Sequence, residues 1–212
     1  MASALQLLHH VSNNLHITQG AEMKKLLSYS MLIAGLLFTS FSAKAADQYT
    51  LDPMHTSVTW TINHFGFSNP WGKFSMITGT LSLDQQNPAN SQLSVTIPIA
   101  NLVTGIPKLD EHLATAQFFD TATYPTATFV STKVTPTGKQ TATVDGTLTL
   151  HGISKPETLQ VTLNKMGENM MKKQTAGFSA TTTLKRSDFG MTTYLPGLGD
   201  EVKLYIESEA NL

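Results

Sequence analysis

A chain of 212 residues with 14 Lys and Arg against 15 Asp and Glu has a formal net charge of -1, and it contains no cysteine. So balanced a charge excludes a strongly basic nucleic-acid surface and electrostatic docking to anionic membranes. Without cysteine there are no disulfides, no thiol catalysis, no cysteine-attached haem and no cysteine zinc sites, so the fold rests on packing and hydrogen bonding.

Residues 1–22, "MASALQLLHHVSNNLHITQGAE", match no domain pattern, and Met23 stands directly before Lys24 and Lys25 as a natural initiator. We read them as an upstream extension or a mis-assigned start, with no function for His9, His10 or His16. Residues 23–45 have the order of a secretory signal peptide: a basic n-region, an apolar run from Leu26 to Phe41, and a small-x-small site at Ala43-Lys44-Ala45. The run is interrupted by Ser28, Ser30, Gly35, Thr39 and Ser40, and it is shorter than the roughly 20 apolar residues of a membrane span. No cysteine follows it, which excludes a lipoprotein anchor. Removing Lys24, Lys25, Lys44 and Glu22 with the leader leaves 11 basic and 14 acidic residues, a net charge of -3. The expected exported domain, residues 46–212, is about 167 residues long, enough for one domain with a real core.

From there the chain reads as strand after strand. "SVTWTINHFGF" puts Val58, Trp60, Ile62 and His64 on one face, with Ser57, Thr59, Thr61 and Asn63 on the other. "KFSMITGTLSL" is a further strand, and "QLSVTIPIA" aligns Leu93, Val95, Ile97 and Ile99. "PKLDEHLATAQFF" alone looks helical: Leu109, Leu113 and Ala116 share a face, and Pro107 suits a first turn. "TATFVSTKV" precedes "TATVDGTLTL", which aligns Ala142, Val144, Gly146, Leu148 and Leu150. "TLQVTLN", "AGFSATTTL" and "EVKLYIESEA" follow, the second with the small face Ala176, Phe178, Ala180, Thr182. Breakers such as Asn87-Pro88, Pro136-Thr137-Gly138 and Gly167-Glu168-Asn169 separate them.

About eight strands and one short helix allow a sandwich or an up-and-down barrel. No systematic edge protection by proline or lysine is visible, so closure into an eight-stranded antiparallel barrel is the expectation. The expected inward faces mix Trp60, Phe74 and Phe178 with Ala142, Gly146, Ala176, Ala180 and Ala210. Small inward residues leave room for a ligand, although they also fit the tapers of a filled barrel.

Four segments resemble one family. They are "DPMHTSVTWTINHFGFSNPWGKF", "TGIPKLDEHLATAQFFDTATYPTATFVST", "GTLTLHGISKPETL", and "KRSDFGM" ahead of "LGDEVKLYIESEA". In this order they resemble the YceI-like periplasmic, polyisoprenoid-binding proteins, over nearly the whole of residues 46–212. The resemblance implies a lipocalin-like barrel around the tail of a long isoprenoid or related lipid, without catalysis common to the family. Family members often carry basic residues on either side of the Asp-x-His-Leu motif, where this chain has Leu109 and Ala114. That departure favours a neutral head group, such as a quinone or an amide.

Of the seven histidines, His55, His64, His112 and His151 fall in the domain, and none forms a close pair of metal-ligand spacing. Ser187-Asp188 has no nucleophile elbow around it. His151-Gly152 reads best as a turn, Asp52 and His55 as local supports for the first strand, and Arg186 with Asp188 as an ion pair closing one barrel end. His64 sits where its strand reaches the rim, either hydrogen-bonding a ligand's polar end or bonded only to protein groups.

The expected ligand-binding residues are Trp60, Ile62, His64, Phe74, His112, Val144, Leu148, Phe178 and Ala180. The expected protein is a non-catalytic periplasmic carrier of a polyisoprenoid, an isoprenoid quinone, or a fatty acid or amide. It has no metal, no cofactor beyond that lipid, no nucleic-acid partner and no stable membrane insertion, as a monomer or homodimer. The alternative is a metal-binding or stress-response structural barrel with a filled core. N-terminal sequencing of periplasmic material is expected to start at Ala46; a product retaining Leu26 to Phe41 would place the protein on the membrane.

Overall fold

The computed structural model describes residues 46–212, so the leader and the upstream extension lie outside the described residues. Eleven strands form one antiparallel sheet: β1 (Asp47–Leu51), β2 (Ser57–His64), β3 (Trp71–Phe74), β4 (Thr78–Leu83), β5 (Gln92–Pro98), β6 (Leu102–Val103), β7 (Thr126–Pro136), β8 (Thr141–Leu150), β9 (Ile153–Glu168), β10 (Gln174–Lys185) and β11 (Leu198–Asn211). One helix, α1 (Pro107–Leu113), lies between β6 and β7. The neighbour order is β1-β4-β5-β7-β8-β9-β10-β11, and β11 pairs back onto β1, so the sheet closes as an eight-stranded barrel.

The eleven segments make eight walls because three walls are broken. β11 pairs with β2 through Val202↔Ile62 to Glu207↔Ser57, then with β1 through Ala210↔Leu51 and Asn211↔Thr50. β1 and β2 are therefore two halves of one wall; β3 and β4, and β5 and β6, are likewise halves of two more. Each break has a local cause. Pro53 has no N–H for the ladder, and the Asp52 carboxylate accepts the Met54 N–H at 2.9 Å to build a turn. Met76 takes a positive φ of 57° between β3 and β4. Pro98 ends β5, and Ile99–Asn101 makes a single 3-10 turn. Each break drives a side chain inward: Thr56, Ile77 and Ile99 are all buried.

The chain alternates between two barrel ends. The β2–β3 hairpin, α1, the β8–β9 turn and the 186–197 segment share one end, here the helix end. The opposite end carries the β4–β5 and β7–β8 connections and the β9–β10 hairpin. There Tyr49, Leu51, Leu81, Ala176 and Ala210 form a packed cluster, so Ala176 and Ala210 serve tight packing and leave no room. The helix is shorter than the sequence pattern implies. It ends at Leu113, Ala116 lies beyond it, and turns held by Phe119 N–H to Leu113 O (3.0 Å) and Asp120 N–H to Thr115 O (2.9 Å) take over.

The expected Arg186–Asp188 ion pair does not form. The Arg186 side chain is buried and donates to three backbone carbonyls: Met191 O (2.6 Å), Gly199 O (2.8 Å) and Leu198 O (2.9 Å). Met191 lies in the 186–197 segment, and Leu198 and Gly199 lie at the start of β11 where its register shifts against β2; a guanidinium fork satisfies these carbonyls more strongly than a neutral donor would. Burial lowers the Arg186 pKa, and the nearby Asp200 carboxylate opposes that shift. Asp200 instead accepts the Ser187 N–H at 2.9 Å and its hydroxyl at 2.8 Å, which leaves Asp188 exposed.

Two glycines on the inner wall seat aromatic rings. A methyl group at Gly146 would meet the Phe129 ring, and one at Gly72 would meet the Trp60 indole. The expectation that Gly146 leaves room for a ligand is thus wrong, because Phe129 occupies that space. Gly146→Ala is expected to lower stability by about 1–3 kcal/mol through overpacking. Chemical denaturation of the two proteins checks it, and an unchanged midpoint would mean the ring can move aside.

Candidate functional site

Alternation places the apolar face of every long strand inside the barrel, yet those side chains do not all bury one another. Leu159, Val161 and Leu163 of β9, and Val202, Leu204 and Ile206 of β11, are only half-buried although they point inward. Their accessible surface faces two cavities. Cavity 1, about 430 Å³, lies toward the end opposite the helix and is lined by Val95, Phe129, Val144, Leu159, Phe178 and Ala180 among others. Cavity 2, about 570 Å³, lies at the helix end and is lined by Trp60, Ile62, Phe74, Leu109, Leu113 and Phe118 among others. Val58, Ile97, Leu148 and Leu204 line both, so the two compartments abut at that level.

All nine sequence-predicted site residues line this interior. Trp60, Ile62, His64, Phe74 and His112 face cavity 2; Val144, Phe178 and Ala180 face cavity 1; Leu148 faces both. His64 ends β2 at the rim, exposed, with its ring edge-on to Phe65 at 5.0 Å. His112 is exposed on α1, edge-on to Phe118 at 5.0 Å. Polar groups are sparse on the wall of cavity 2 and gather at this mouth: His64, Ser68, His112 and Tyr194, with the Arg186 guanidinium behind them. The Trp60 indole nitrogen and His151 Nε2 are buried without hydrogen-bond partners. His151 lines neither cavity; its Nδ1 lies 3.0 Å from the Phe189 carbonyl and its ring against Tyr124, as a turn histidine.

Sequence reasoning missed Glu157. It follows the inward alternation Leu163, Val161, Leu159 down β9, lies opposite Gly146, and lines cavity 1. The signal was present as a charge in phase with an apolar face, but the quoted strand stopped at Thr158. Burial pushes the Glu157 carboxyl above its ordinary range, and the Asp188 carboxylate adds to the shift.

A second cluster lies on the outer wall at the β1–β2 break. Asp52, His55 and Glu209 bring their ligand atoms within 4.8 Å of one another. His55 Nδ1 is 2.8 Å from Asp52 Oδ2; this contact raises the His55 pKa and lowers that of Asp52. With Asp52 also holding the Met54 N–H, the geometry is that of a strand support, and it has no contact with the interior.

A closed antiparallel barrel with a two-part apolar interior and a polar mouth defines a ligand-binding barrel. The chain belongs to the YceI-like family, whose domain matches residues 49–210. It is 38% identical over 188 residues to the protein YceI of Salmonella arizonae, covering 88% of this chain and 96% of that one. The crystal structure of Burkholderia cenocepacia BcnA superimposes with a TM-score of 0.68 at 26% identity, over 75% of this chain and 98% of that one. A polyisoprenoid binding domain from Saccharophagus degradans shares the fold, with a TM-score of 0.61 at 16% identity over 77% of this chain and 97% of that one.

The Glu157 shift has a definite sign. Folding disfavours its charged form, so the protein loses stability as pH rises from about the ordinary value of 4.5 through the raised folded value. Glu157→Gln is expected to melt higher than the parent at neutral pH and level with it below that window. Melting curves across pH check this, and a gap that stays constant with pH would remove the titration from the explanation.

Proposed function

We propose that this protein is an exported, periplasmic, non-catalytic carrier that encloses a long-chain lipid with a neutral head group. Its tail runs from cavity 2 past Val58 and Leu148 into cavity 1, and its head lies at the helix-end mouth. The observation that carries this reading is the set of inward apolar side chains on β9 and β11 that stay half-exposed around 430 and 570 Å³ of interior. Each methylene removed from water contributes about 0.8 kcal/mol, so a tail needs no charged contact to bind usefully. The Saccharophagus polyisoprenoid binding domain with the same fold agrees with an isoprenoid tail.

The head-group preference rests on cavity 2. The family's frequent basic position before Asp110 is Leu109 here, and Leu109 lines the cavity. The remaining cation, Arg186, commits donors to three carbonyls. An anionic head would meet little unspent positive charge from Arg186, whereas the carbonyl of a quinone or amide needs only one hydrogen-bond donor such as His64, His112 or Tyr194. The leader of residues 23–45 supports export, and among the described residues no helix is long and apolar enough to cross a membrane.

Native mass spectrometry and organic extraction of the purified protein test the reading first; protein that carries no extractable lipid and binds none overturns it. Displacement of a fluorescent long-chain lipid then apportions the site. Ala180→Phe should abolish binding while keeping the melting temperature, because it fills cavity space, whereas overpacking a filled core costs about 1–3 kcal/mol. His64→Ala removes one neutral hydrogen bond, worth about 0.5–1.5 kcal/mol, and should weaken binding several-fold. Trp60→Ala should weaken it more. A His64 variant that binds normally but melts earlier would make His64 structural.

A further inference from the structure

The helix end of the barrel carries an exposed aromatic rim, of which Phe65 and Tyr194 also line the mouth of cavity 2 while Phe67 and Trp71 line neither cavity. Phe67 is 90% exposed, Trp71 57%, Tyr194 55% and Phe65 46%. They come from two segments joined at the mouth of cavity 2. The Phe65 N–H donates to Gly197 O at 2.9 Å, Leu198 pairs with His64, and a methyl group at Gly197 would meet the Phe65 ring. Neither segment holds an ionised side chain of fixed charge: residues 53–72 and 190–199 contain no Asp, Glu, Lys or Arg.

Elsewhere the outer wall is mostly polar, with Val130 and Tyr205 as exposed exceptions. β10 and β11 present Thr181, Thr183, Lys185, Glu201, Lys203 and Glu207, the opposite of the apolar outward band of a membrane-spanning barrel. Exposed methionines lie elsewhere, Met170 and Met171 at the opposite end, but of the five exposed Phe, Trp and Tyr side chains among the described residues four gather at this rim, around the mouth of cavity 2, and only Tyr205 lies apart. Aromatic side chains exposed together in this way mark an interaction surface. Phe, Trp and Tyr are also the side chains that settle at the boundary between head groups and acyl chains.

We propose that this rim docks the barrel on the surface of a lipid bilayer, with Phe67 and Trp71 entering the interface so that cavity 2 opens directly onto the acyl layer. Charge-free loops enter that layer without desolvating ions, and no basic cluster draws them to anionic lipid, so the bilayer recognised is a zwitterionic one. Docking is shallow and reversible, since a few aromatic side chains bury far less than a spanning segment. The inference rests on the lipid-carrier reading for its purpose, although the two residues that enter the interface, Phe67 and Trp71, lie outside the cavity walls.

The test is flotation of the exported protein with phosphatidylcholine vesicles, beside a Phe67→Ser, Trp71→Ser double variant. Neither residue lines a cavity, so the variant should melt as the parent does and bind a fluorescent lipid in solution with the same affinity. The parent should float with the vesicles irrespective of salt, and the variant should partition about tenfold more weakly or worse. Transfer of the fluorescent lipid from vesicle to protein should slow in parallel. Docking is overturned if the parent does not float, if it floats only with anionic vesicles in a salt-sensitive way, or if the variant floats equally well. Sedimentation showing a parent dimer that the double substitution dissociates would assign the rim to a second copy of the chain and also overturn it. Vesicle binding without any lipid binding in solution would instead sink the carrier reading and leave the docking surface standing.

Discussion

The structure depends on one strand edge. The outer edge of β11 must be satisfied along fourteen residues, and no single strand of the chain does it: β2 takes the half at the helix end and β1 the other. Where they part, the Glu209 carbonyl is not abandoned, because it accepts the Asp52 N–H at 2.8 Å and the Thr56 hydroxyl at 3.4 Å. The Asp52–His55 contact holds that turn from outside. With this seam made, the sheet has no long open edge and needs neither disulfides nor a covering layer of helices. Closure by backbone hydrogen bonds is also what permits a cavity, since the walls hold one another without a filled centre.

What fills the interior follows from how side chains reach across. Where a strand offers glycine, an aromatic ring from a neighbouring wall lies down on it, as Phe129 does on Gly146 and Trp60 on Gly72. Where a wall breaks, a buried residue turns in, as Ile77 and Ile99 do. These two devices thicken the wall locally, while the two compartments abut at Val58, Ile97, Leu148 and Leu204. The inward leucines, valines and isoleucine of β9 and β11 pack only in part against the buried side chains and keep surface on the two cavities.

Much of this was legible in the sequence, for a physical reason. Period-two alternation states which side chains face inward, so Trp60, Ile62, Phe74, Val144, Leu148, Phe178 and Ala180 were placed on the interior without knowledge of the topology. His64 reaches the mouth because β2 ends there, whereas His112 reaches it from the last turn of α1, which strand alternation does not address. What alternation cannot state is which wall a side chain meets across the barrel. A glycine or alanine therefore reads as space, whereas Gly146 seats a ring and Ala176 and Ala210 are packed shut. Arg186 and Asp188, two residues apart, read as a pair; the short 3-10 turn that carries them sends one inward and the other to solvent. The broken walls were equally hidden, because "KFSMITGTLSL" alternates well enough to pass as one strand until Met76 adopts a positive φ.

The two ends of the barrel differ in kind, and this gives the molecule a direction. The end opposite the helix is bordered by Gln85, Gln92, Lys139 and Gln140, and it is narrowed by the packed cluster of Tyr49, Leu51 and Leu81. The helix end has the hydrogen-bonding side chains His64, Ser68, His112 and Tyr194 at the mouth, and loops without Asp, Glu, Lys or Arg around it. On the carrier reading proposed above, a chain entering tail-first from the helix end would pass from polar mouth to apolar wall and leave its head where donors are available. Entry from the other end would bring it first against amide and ammonium groups that give nothing to a hydrocarbon. On that reading, direction would come from the order of chemistries along the barrel axis.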